Sequence, residues 1–143
     1  MYKRQYVHAA VIEMDADRIG HGIDAIKDSS VLTLLRERRI PLDINLTSNL
    51  ALHIYSYLCL LPFRRLVDSW LILTVNTDDP ALFNTTLNRE FELLEEIFEY
   101  TLSDITRVAR NSFMVCGATH ELKQIILSKF DEWEGSIKDD LCP

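Results

Sequence analysis

Glycine and proline are scarce in this sequence, four of each in 143 residues. No Pro- or Gly-rich linker divides it, and the length is that of one domain. Cysteine is scarcer still. Cys59, Cys116 and Cys142 are odd in number and show no Cys-x-x-Cys spacing. That excludes a disulfide framework and a zinc ribbon, and it predicts reduced thiols in a cytoplasmic setting. Long hydrophobic runs are missing too. The longest apolar stretch, residues 50–63, is broken by His53 and Ser56 and stops near Pro62. It is too short and too polar to cross a bilayer, so no membrane partner is expected. No apolar segment follows the first basic residues, which reads against a signal peptide there. Positive charge is also short: 15 Lys and Arg against 22 Asp and Glu leave a net charge of −7. Nucleic-acid partners need clustered cations, so they are not expected. The clusters at residues 36–39 and Arg64-Arg65 read as solvated helix faces.

What remains is an ordinary globular composition, 48% hydrophobic and 26% charged, long enough to bury a core. Short apolar segments alternate with longer helical ones, the mark of parallel βαβ units. Residues 8–15 read as the end of a helix, 18–21 as a short strand running into Gly22, and 28–39 as a helix with Val31, Leu32, Leu34 and Leu35 at near-helical spacing. Residues 40–46 read as a strand, Thr47-Ser48-Asn49 as a loop, and 52–60 and 63–70 as two short helices. The apolar run 71–75 reads as a strand buried on both faces. Beyond it the chain is helical. Leu87, Phe91, Leu94, Ile97 and Phe98 form one stripe, Ser103 is placed to cap residues 104–116, and Thr119 to cap 120–133.

Polar groups of catalytic type stand at two predicted strand ends. Arg18-Ile19-Gly20-His21-Gly22 puts an imidazole between two glycines where the first strand stops. Alone, it reads best as a structural turn histidine. Asn76-Thr77-Asp78-Asp79-Pro80 puts two adjacent carboxylates after the third strand. Alone, that reads best as an acidic N-cap followed by Pro at N1.

Together the segments resemble the adenosine/adenine deaminase family of metal-dependent hydrolases. The matching features are Arg18-Ile19-Gly20-His21-Gly22, the stretch from Pro41 to Thr47-Ser48-Asn49, and Leu73-Thr74-Val75-Asn76-Thr77-Asp78-Asp79-Pro80-Ala81-Leu82-Phe83. Thr86-Leu87-Asn88-Arg89-Glu90-Phe91 follows at the family's usual distance. The resemblance implies an α/β fold that is part of a (β/α)₈ TIM barrel: its last three strand–helix units plus C-terminal helices. It implies hydrolytic deamination of adenosine to inosine and ammonia, with adenine, N6-methyl-AMP or aminofutalosine as rival substrates. By the resemblance Asp78 is a ligand of the single catalytic Zn²⁺, Asp79 binds the purine near N7, and His21 orients and assists the attacking hydroxide. Zinc lowers the pKa of bound water from about 15.7 to about 7, which makes a nucleophile at neutral pH.

The family's His-x-His, a further histidine ligand and its His-Ala-Gly-Glu segment do not occur in this sequence. His8-Ala9-Ala10 lacks the Gly-Glu. His53, expected in an apolar helix, and His120, beside a cap, read as structural or exposed. The chain alone is therefore expected to bind zinc poorly and to be inactive. Residues 1–5, Met-Tyr-Lys-Arg-Gln, resemble the translation of a sequencing adapter, which makes residues 6–143 the C-terminal part of a deaminase domain. A three-strand portion is expected to leave open edges and an uncovered apolar inner face. A non-catalytic half-barrel that binds or dimerises is the alternative from another functional class.

Overall fold

The computed structural model describes residues 4–141. Of the adapter-like stretch, residues 1–3 lie outside the described residues, as does Cys142. Helix α1 spans Arg4–Ile12, strand β1 Ile19–Gly20, α2 Ser29–Glu37, β2 Leu42–Ile44, α3 Leu46–Ala51, α4 Phe63–Asp68 and β3 Leu73–Val75. Helices α5 (Pro80–Phe83), α6 (Leu87–Phe98), α7 (Leu102–Val115) and α8 (His120–Leu141) follow. Short 3₁₀ turns lie at Ile23–Lys27 and Leu58–Leu60.

The three strands form one parallel sheet in the order β1-β2-β3, with Ile19 beside Leu42, Leu42 beside Leu73 and Ile44 beside Val75. Helices return the chain between strands, as parallel pairing requires. One face of the sheet makes the core: Leu42, Ile44, Leu73 and Val75 pack with Val31, Leu35, Phe63, Leu66 and Leu94 in a single buried cluster. Phe63 also meets Phe98 and Tyr100, each with ring centroids 5.6 Å away.

The opposite face corrects the expectation of an apolar surface. Side chains alternate along a strand, and Asp43, between Leu42 and Ile44, accepts from Thr74 Oγ1 at 2.6 Å and pairs with Arg18 at 2.8 Å. That face is polar and internally bonded through Arg18, Asp43 and Thr74. Among the described residues no helix is long and apolar enough to cross a membrane.

Three local expectations also change. Thr47-Ser48-Asn49 is not a loop but lies within α3, so the helix expected at 52–60 starts earlier and only a 3₁₀ turn remains there. His53 sits in the turn after α3 at φ 55°, not in a helix. The α6 stripe is rotated: Leu87 and Ile97 are largely exposed, while Glu90 and Leu93 join Leu94 and Phe98 inside.

Helix α7 starts at Leu102 and is capped by Thr101, not Ser103. The Thr101 side chain accepts from the Asp104 amide, and Asp104 Oδ2 accepts from the Thr101 amide at 3.1 Å, a reciprocal capping box. Thr101→Ala is expected to lower stability by about 1 kcal/mol, read as a shift of the urea midpoint. Ser103→Ala, measured in parallel, should change it little.

The Thr101 hydroxyl holds the Asp104 carboxyl below its ordinary value, as the guanidinium groups of Arg89 and Arg110 do for Glu96 and Asp131. Each group binds its proton less readily folded than unfolded. Their stabilisation is complete above the ordinary values of 3.8 and 4.5 and is lost as the pH falls through the lowered ones. The thermal midpoint should therefore drop on acidification below about pH 4, less steeply in high salt because these pairs lie at the surface. A midpoint unmoved by acid would contradict this.

Candidate active site

Three strand ends meet on one rim. From β1 comes His21, whose amide donates to the Asp43 carbonyl at 2.8 Å and so continues the ladder one residue past the strand. From β2 comes the first turn of α3 with Ser48 and Asn49, both fully buried. From β3 come Asp78 and Asp79, after Asn76 has donated to the Ile44 carbonyl at 3.0 Å.

His21 and Asp78 both adopt left-handed backbone, at φ 59° each. Five of the other non-glycine residues with positive φ (Arg39, His53, Trp70, Asn84 and Glu99) end helices, where that conformation is ordinary. His21 and Asp78 instead follow strands. Such backbone costs about 1–3 kcal/mol and gathers where a side chain must be aimed.

The aim is visible. His21 Nε2 lies 3.6 Å from Asp78 Oδ2. Ser48 Oγ donates to that same oxygen at 2.7 Å. On the far side of the ring, His21 Nδ1 is 3.2 Å from Asn49 Oδ1. Asn49 donates through Nδ2 to the Asn45 carbonyl at 2.6 Å, which turns its amide oxygen towards the histidine. An amide oxygen only accepts, so Nδ1 carries the proton and Nε2 is the basic nitrogen of the neutral ring. The imidazole side chain is 12% exposed and the Asp78 side chain 36%. A buried pair of polar side chains on α3 thus holds His21 and Asp78 towards each other.

Asp79 serves α5. Its Oδ1 accepts from the Leu82 amide at 2.9 Å, with Pro80 at N1. The two aspartates divide: Asp79 is the helix cap and Asp78 is the group aimed at His21. Beside the ring lies a cleft of about 430 Å³, lined among others by His21, Asn49, Asp24, Lys27 and His53. Ser48 and Asn49 were not marked as site residues by the sequence. Their signal was three polar residues in succession directly after a buried strand.

Polar groups collected on the C-terminal rim of a parallel sheet place this chain among the α/β proteins that build their sites from strand ends. It belongs to the adenosine deaminase family, whose pattern matches residues 2–133. The adenine deaminase of Psychrobacter cryohalolentis is 32% identical over 130 residues, covering 91% of this chain and 39% of that one. The adenosine deaminase of Clostridium kluyveri is 37% identical over 108 residues, covering 76% of this chain and 31% of that one. Among solved structures, the adenine deaminase of Arthrobacter aurescens superposes with a TM-score of 0.89 at 28% identity, covering 94% of this chain and 41% of that one. The chain spans well under half the length of the relatives it matches.

A catalytic zinc takes three protein ligands as a rule. Among the described residues no three His, Cys, Asp or Glu side chains cluster to hold a metal ion. The carboxylate of Asp78 fits as one donor. The described residues do not complete the set.

Proposed function

We propose that residues 6–143 are the C-terminal part of a zinc-dependent purine aminohydrolase, the last three strand–helix units of a (β/α)₈ barrel with its terminal helices. The reaction is hydrolysis at the carbon that carries the 6-amino group: the oxygen of water adds there, the C–N bond breaks, and the nitrogen leaves as ammonia. The protein works in the cytoplasm on a small purine, and adenosine is the substrate we put first.

The observation that carries this reading is the His21–Asp78 approach of 3.6 Å across neighbouring strand ends. With Nδ1 committed to Asn49, His21 presents a basic Nε2 that can accept a hydrogen bond from the attacking water and hold its oxygen lone pair towards the ring carbon. Asp78 would supply one carboxylate to a bound zinc, whose ligand set the described residues do not complete. Asp79, already anchored through Oδ1, offers its second oxygen to the base. Because Asp79 is fixed by the helix it caps, the purine meets a preset partner.

Adenine is the rival with the best support, since the 32% match to an adenine deaminase covers 91% of the chain against 76% for the adenosine deaminase. N6-methyl-AMP and aminodeoxyfutalosine complete the field. The test is to clone the reading frame through and upstream of Met1, load the purified product with zinc, and follow ammonia release from adenosine, adenine and aminodeoxyfutalosine and methylamine release from N6-methyl-AMP. Release from one of them supports the reading. A folded, zinc-loaded product that deaminates none overturns it.

A further inference from the structure

One carboxylate among the described residues is wholly buried and takes no part in the chemistry proposed above. Glu90, in the first turn of α6, is 0% exposed. Its Oε2 accepts from the backbone amides of Leu46 at 2.8 Å and Thr47 at 3.2 Å, and its Oε1 accepts from Thr85 Oγ1 at 2.7 Å. No cation pairs with it among the described residues. Burying a carboxylate without a cation is costly, and a leucine would fill the same place more cheaply. The hydrogen bonds it makes are therefore the reason for its presence.

Those bonds land on a particular turn. The residue at the head of α3, Asn45, places no side-chain oxygen on the helix amides, and its own Oδ1 is buried without a partner. Glu90 takes over that capping task from 44 residues further along the chain. The next two residues after the amides it holds are Ser48 and Asn49, the pair whose side chains reach Asp78 and His21. A carboxylate at a helix start is doubly placed, since it satisfies unbonded amides and faces the positive end of the peptide dipoles.

We propose that Glu90 is a positioning residue for the reactive pair: it fixes the first turn of α3, and through Ser48 and Asn49 it sets the aim of Asp78 and His21. Its catalytic meaning rests on the reading of those two residues given above, but the positioning itself is testable without any turnover. Glu90→Gln should preserve the arrangement, because the amide oxygen can accept from both backbone amides while its NH₂ donates to Thr85 Oγ1. Glu90→Ala removes all three bonds. Glu90→Asp keeps the charge but is one methylene short.

The experiment is NMR on the full 143-residue chain at one fixed pH. In Glu90→Ala, amide exchange at Leu46 and Thr47 is expected to rise about tenfold or more, the loss of a charge-assisted hydrogen bond, and the His21 ring nitrogen signals are expected to move away from the Nδ1–H pattern. Glu90→Gln should restore both. Thr101→Ala, which lowers stability by about 1 kcal/mol at a place remote from α3, should leave the ring signals in place, as expected if positioning and not a general loss of stability moves them. Parent-like exchange and ring signals in a folded Glu90→Ala protein would overturn the proposal. If that variant does not fold, Glu90→Asp decides: altered signals at Leu46, Thr47 and the His21 ring support it, and parent-like signals overturn it. Failure of the four-substrate assay would leave these outcomes intact, so the two ideas fall separately.

Discussion

On the function proposed above, replacing His21 by asparagine in the zinc-loaded protein is expected to lower kcat by about 10²–10⁴-fold with little change in KM, because a positioned proton-transfer group contributes about that much. Asparagine is the informative substitute. His21 stands at φ 59°, a conformation that asparagine tolerates better than alanine does. Loss of rate then reports on the imidazole and not on strained backbone. The expected cause is specific: asparagine has no basic nitrogen at the place where Nε2 now stands 3.6 Å from Asp78. Ser48→Ala should give a smaller loss, about tenfold, because the donor to Asp78 Oδ2 disappears but the carboxylate stays. Rates of His21→Asn within about threefold of the parent would remove the imidazole from the chemistry.

Much of the frame behind that site was legible in the sequence. The run that forms β3 is apolar and partly β-branched between polar ends, the run that forms β2 alternates apolar Leu42 and Ile44 with Asp43 and Asn45, and the order of helices and strands follows from them. The position of His21 and of the two aspartates at strand ends could be read from the same pattern. What could not be read was contributed from far along the chain. Thr47-Ser48-Asn49 carries loop-forming residue types, and it becomes helical where a carboxylate from α6, remote in sequence, supplies the cap that the local sequence withholds. The same carboxylate explains the rotated α6 stripe. Glu90 lies three residues after Leu87 and four before Leu94, on the face that an apolar count assigns to the core, and charge alone argues against burying it. The α7 start was misplaced for a local reason, since Thr-x-x-Asp from Thr101 to Asp104 is a complete capping box and outranks Ser103. The polar inner face follows from alternation once the strand register is known: Arg18, Asp43 and Thr74 fall on the side opposite the core.

Gly22→Ala should destabilise the fold by about 3 kcal/mol, the sum of two separate costs. The residue stands at φ +66°, where a side chain costs about 1–2 kcal/mol. Its added Cβ would lie 2.7 Å from Leu42 Cδ2 and 3.1 Å from Ile19 Cγ2. Leu42 is wholly buried at the centre of the sheet, so its methyl cannot swing into solvent, and forcing an extra carbon into such a core costs about 1–3 kcal/mol. Gly20 provides the control in the same segment. A Cβ there meets nothing within 4 Å and its φ is not in the left-handed range, so Gly20→Ala should be close to neutral. Urea unfolding of the two variants separates the cases: a midpoint shift for Gly22→Ala several times that for Gly20→Ala is expected, and equal shifts would refute the steric account. The consequence reaches the site, because the turn that Gly22 makes is what lets the chain leave β1 immediately after His21. Relief of the clash by moving the backbone at residue 22 would carry the imidazole with it, so the Gly22→Ala protein should lose the His21–Asn49 bond even under conditions where it remains folded.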